Sequence, residues 1–206
     1  PAVLARVGRT GDPEGVLEGL SFLLSRREFE THVDLLAGLP GQDLAGVLAD
    51  AARLVALGPA EIQLEVLKIL PGTRLCREAA REGLVFSPLP PYEVLRTPQF
   101  PEADLARAER LSRLLDRFHN PPVLRSTTRI LAGREDALAR LLAAAEEAAM
   151  LAEPVSLERR LRFLAARAEG DPEAREQAQW AWFGNGFGAD GAPWPSEPWR
   201  GLPPPE

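Results

Sequence analysis

Cysteine, lysine, tyrosine and methionine are nearly missing from this 206-residue chain, which holds one of each: Cys76, Lys68, Tyr92 and Met150. A lone cysteine excludes an internal disulfide and argues against a secreted, disulfide-stapled protein. The basic side chains are instead 23 arginines, and with abundant Ala, Leu and Pro this bias reads as a GC-rich bacterial genome and not as an arginine-built binding surface. No run approaches the roughly 20 uninterrupted apolar residues of a membrane span, and the N-terminal residues lack the layout of a signal peptide. A net charge of -6 and a pI near 5.2 disfavour nucleic acid and anionic membrane as partners. The default is a soluble, cytoplasmic protein. Its 45% hydrophobic content suffices for one or two compact domains.

The first 83 residues alternate helix and strand. Asp12-Pro13-Glu14 is a helix start, with a cap, a proline at the first helical position and an acid in the first turn. Val16, Leu17, Leu20, Leu23 and Leu24 then recur at helical spacing as far as Arg26-Arg27. Residues 31–37 form an apolar strand that runs into Gly38-Leu39-Pro40-Gly41. Asp43 caps a helix with the stripe Leu44, Val47, Leu48, Ala51 and Leu54, stopped by Gly58-Pro59. In residues 61–70, Ile62, Leu64 and Val66 alternate with Gln63 and Glu65, a strand pattern, and Thr73 caps a short helix ending at Gly83.

One-helix crossovers imply parallel strands, yet two parallel strands alone make no stable sheet. The expectation is therefore α/β: the C-terminal βα units of a partial TIM-like barrel over residues 1–83, its N-terminal half missing, followed by an all-α domain. Prolines 88, 90, 91 and 98 make an extended connector with a short strand at Tyr92–Arg96. Helices follow at about 101–118, 134–152, 156–168 and 172–182, so that connector and helical domain occupy 84–183, and the Gly-, Pro- and Trp-rich residues 184–206 read as a disordered tail.

Asp34 opens the question of function. A carboxylate in an apolar strand is costly to bury unpaired, so it should meet a cation or a ligand; Arg9 is one candidate, and a plain packing ion pair is the alternative. If Ile62, Leu64 and Val66 lie under helices, Gln63, Glu65 and Leu67 face inward, where polar groups need a hydrogen-bonding ligand or water. The glycines at 38 and 41 let backbone approach a ligand, or merely form a tight turn. His32 and His119 are too isolated to suggest a metal site, and Cys76 reads as a small core residue. Trp180, Trp182 and Phe183 are expected to dock the last helix, with a partner-binding patch as the alternative, and Glu146-Glu147 to form a solvated face.

"HVDLLAGLPGQD", then "EIQLEVLKILPGT" and "EGLVFSPLPPYEVLRT", together with the opening "PAVLARVGRTGDPEG", resemble the back half of the barrel of cobalamin-binding radical S-adenosylmethionine proteins and the helical domain that follows it in some of them. The resemblance covers residues 1–130. It implies that Arg9 and Asp34 contact S-adenosylmethionine, the arginine at its carboxylate, with Gly38, Leu39 and Leu67 near the adenosine. It further implies a [4Fe–4S] cluster and cobalamin in the complete protein, and radical chemistry on a small-molecule substrate the sequence does not identify. The family holds its cluster with a Cys-x-x-x-Cys-x-x-Cys motif, which this chain lacks, so the 206 residues are expected to bind no cluster and to be inactive alone. A non-catalytic interaction module derived from such a barrel is the alternative, and a small α/β protein binding an unrelated nucleotide is a third.

Overall fold

A computed structural model describes residues 2–194 apart from 27, 134 and 153; Arg27 and the tail beyond Trp194 lie outside the described residues. The protein is mixed α/β. Helices α1 (Ala2–Arg6) and α2 (Pro13–Arg26) precede strand β1 (His32–Ala37), α3 (Leu44–Leu57), β2 (Glu61–Val66) and α4 (Arg74–Glu78). Two short strands, β3 (Val85–Phe86) and β4 (Val94–Arg96), occupy the proline-rich connector. Helices α5 (Glu102–Leu114), α6 (Pro122–Ala132), α7 (Glu135–Glu147), α8 (Leu157–Arg167) and α9 (Pro172–Gly184) complete the described chain, with a π-helical turn at Leu115–His119.

The capping chemistry sets these elements. Asp43 Oδ1 accepts from the Gly46 N–H at 2.8 Å, and Gly58, at φ +77°, closes α3 by donating to the Leu54 carbonyl. The crossover through α3 makes β1 and β2 parallel, in register from His32 opposite Glu61 to Ala37 opposite Val66. Alternation then divides the pair into two faces. Val33, Leu35, Ala37, Ile62, Leu64 and Val66 join the core that includes α3. His32, Asp34, Leu36, Gln63 and Glu65 stand exposed on the other face.

Elements on both sides of the 83/84 boundary pack together: α3 packs on α6 and α7, β2 packs on α5, and one hydrophobic core includes residues from Ala37 to Trp194. Three expectations need correction. Helix α6 fills the stretch between the helices expected at about 101–118 and 134–152, where none was expected; Pro122 stands at its first turn, where the missing N–H costs nothing. The tail reading fails as far as Trp194, which is buried edge-on to Trp182 at 6.5 Å while the Trp182 indole N–H donates to Gly188 O. Glu146 is not merely solvated but pairs with Arg110.

Arginine has a structural use throughout. Arg117 donates to Met150 O, Arg159 to Ala148 O and Arg160 to Arg117 O, each taking up carbonyls that helix ends leave open.

Candidate functional site

Asp34 sits mid-strand in β1, and Arg9 sits in the loop between α1 and α2, held there by its N–H bond to Leu4 O at 2.9 Å. Both line one cavity of about 490 Å³ that follows the outer edge of β1, walled by Leu17, Val33, Leu35 and Arg53. The two residues singled out from the sequence thus face one space. They do not form an ion pair with each other; Arg53 is the bound cation here, 2.6 Å from Glu14. Asp50, on the same wall, has its carboxyl pushed upward by burial, against the pull of Arg53.

The structure does not bring Gly38, Leu39 and Leu67 to this cavity. The N–H groups of Gly38 and Leu39 donate to Gln42 Oε1 at 3.0 and 3.1 Å, and Gln42 Nε2 returns a bond to Leu36 O. Gln42 therefore staples the loop, a role its sequence context does not signal. Gly38 is required by packing: at φ +93°, an added Cβ would lie 3.3 Å from Leu105 and 3.5 Å from Val94. Leu67 was expected to face inward with Gln63 and Glu65 but is buried, because the strand pattern breaks after Val66. There the chain turns to the connector, with Val94 N–H donating to Leu67 O and Ile69 N–H to Tyr92 O, each at 2.8 Å.

Each edge of the parallel pair is capped at one residue and open at others. Odd-numbered residues of both strands bond across the pair, as Glu61 N–H to Thr31 O and Leu67 N–H to Ala37 O show, so even-numbered residues aim their main-chain groups outward. On the β2 side, Ile62 is met by Asn120, whose Oδ1 accepts at 3.0 Å and whose Nδ2 donates at 3.2 Å. On the β1 side, Leu36 O has Gln42, while the main-chain groups of His32 and Asp34 meet no strand. Beside this open edge α2 is covered on one side only: Leu17 and Leu20 pack against the core, while Val16 stays 68% and Phe22 63% exposed.

On the exposed face, His32 Nδ1 lies 2.6 Å from Glu61 Oε2; the Glu61 carboxyl is held below its ordinary range first by the Gln63 amide and then by His32. His119 is fully buried with Nε2 3.0 Å from Pro59 O, and burial pushes its pKa down to about 4. Cys76, half-buried in α4, is the one thiol of the chain, and no group of three metal-ligating side chains exists among the described residues. These residues do not fit an iron–sulfur cluster, which needs several thiolates. No helix among the described residues is long and apolar enough to cross a membrane.

No protein-family model matches this chain, and no curated protein matches it in sequence.

Proposed function

We propose that the chain is the C-terminal portion of a radical S-adenosylmethionine barrel of the cobalamin-binding kind, contributing two βα units and a helical cap. The observation that carries this reading is the unpaired main chain along the outer edge of β1. The main-chain groups of His32 and Asp34 meet no strand there, beside a helix α2 that leaves Val16 and Phe22 exposed. A right-handed crossover through α2 puts a preceding parallel strand on that edge. S-adenosylmethionine fits the cavity there in charge: Arg9 would take its carboxylate, Asp34 its ribose hydroxyls, and Val33 and Leu35 its apolar parts. The cluster ligands would come from the N-terminal half, since this chain does not supply them; when bound there, the cluster furnishes the electron for cleaving the sulfonium.

A calorimetric titration of the full chain with S-adenosylmethionine tests the site. Saturable binding, weakened at least tenfold by R9Q and by D34N, is expected. An absence of saturable heat, or heat indifferent to both substitutions, overturns the assignment. The single cysteine favours a second reading, a non-catalytic interaction module, which predicts no S-adenosylmethionine binding at all.

A further inference from the structure

A second cavity, of about 300 Å³, lies at the opposite edge of the sheet, between β2 and α5. The outward main-chain groups of β2 are taken at Ile62 by Asn120, and beyond the strand the Leu67 carbonyl is taken by Val94. Between these two closures, Leu64 and Val66 aim an N–H and a C=O each at the cavity, and neither residue has a strand partner there. Leu64 is only 5% exposed. Val66 is half-buried, so main-chain groups of this wall are left to bond what enters the slot.

The rim carries both signs of charge. Lys68 is engaged with Glu65 at 2.8 Å, but among the described residues Glu93, Glu109 and Arg113 make no ion pair. The last two stand four residues apart on α5, acid first, the arrangement that ordinarily pairs on a helix. Here they are left separately available around a slot with a strand edge for one wall.

We infer that this slot binds a short zwitterionic peptide in extended form, its main chain bonding to Leu64 and Val66. Its ammonium group faces Glu93 and Glu109, and its carboxylate faces Arg113. The short gap between the Asn120 and Val94 closures limits the occupant to two or three residues, because a longer strand would collide with one of them. The site is separate from the Arg9–Asp34 cavity and does not depend on its ligand.

The test is a titration of the full chain, followed by amide chemical shifts, with alanylalanine, N-acetyl-alanylalanine and alanylalanine amide. Saturable binding of the free dipeptide with a Kd of about 1 mM or tighter is expected, with the Leu64 and Val66 amides shifting most. Each capped peptide, R113Q and the E93Q/E109Q pair should weaken it at least tenfold, while R9Q leaves it unchanged. Should a charge variant lose its fold by circular dichroism, the capped peptides on the unaltered chain decide alone. No saturation, or equal binding of free and capped peptides, overturns the proposal.

Discussion

Asn120 and Ile62, 58 residues apart, exchange two hydrogen bonds in which a side-chain carboxamide does the work of a neighbouring strand. The π-helical turn at Leu115–His119 makes this possible: its extra residue rotates the chain so that Phe118 and His119 enter the core while Asn120 reaches the edge of β2. Asn120 Nδ2 also bonds Asp116 Oδ1, which fixes the orientation of the amide.

Asn120→Ala should therefore cost about 1–3 kcal/mol, the usual loss when main-chain groups of a half-buried strand edge are left unpaired. Urea unfolding reads this as a lower midpoint with an unchanged slope. A loss below about 0.5 kcal/mol, within the range of neutral surface changes, would mean that water replaces the amide without penalty.

Gly38→Ala should destabilise by more than 1 kcal/mol, on the order expected for a β-carbon forced to positive φ and into close contact. The cause is φ +93° together with Leu105 and Val94 in the path of the new methyl group. Gln42→Ala should cost about 1–2 kcal/mol by releasing the Gly38 and Leu39 amides. Thermal unfolding of both variants checks the pair; a G38A protein as stable as the parent would show that the loop can rearrange.

Burial holds His119 neutral, with its pKa down at about 4 from an ordinary 6.5. Above pH 6.5 neither folded nor unfolded chain carries the proton, and this contribution to stability is complete. As pH falls from 6.5 towards 4 the unfolded chain takes up a proton that the folded one refuses. Stability is therefore lost over that window, by about 3 kcal/mol in all. Urea titrations between pH 7 and pH 4 should show a slope that shrinks in H119F, which titrates in neither state. An equal slope in the two proteins would place the loss on other groups.

The parts of the fold legible in the sequence are those specified locally. Asp43, Gly58 and the stripe between them delimit α3, and the alternation around Leu64 delimits β2, because caps and periodicity act within a few residues. Helix α6 was hidden because its buried face includes Thr127 and Thr128, which an apolar count passes over, behind two prolines that look like a stop. Thr128 earns its place by donating to Phe118 O at 2.8 Å, a partner no local pattern announces. The site followed the same rule. That Arg9 and Asp34 face one cavity follows the chemistry of a strand carboxylate needing company, whereas the Gln42 staple, the burial of Leu67 and the Asn120 cap all depend on where distant segments meet.

Amide hydrogen exchange along β1 tests the open edge most directly. Val33 and Leu35, whose N–H groups face β2, should exchange slowly, while His32 and Asp34, whose N–H groups face outward, should exchange near the rate of unprotected peptide. Adding an N-terminal half that carries the three-cysteine motif should then slow His32 and Asp34. Protection of all four amides in the chain alone would show the edge already covered, and would contradict the reading of this sheet as part of a larger enclosure.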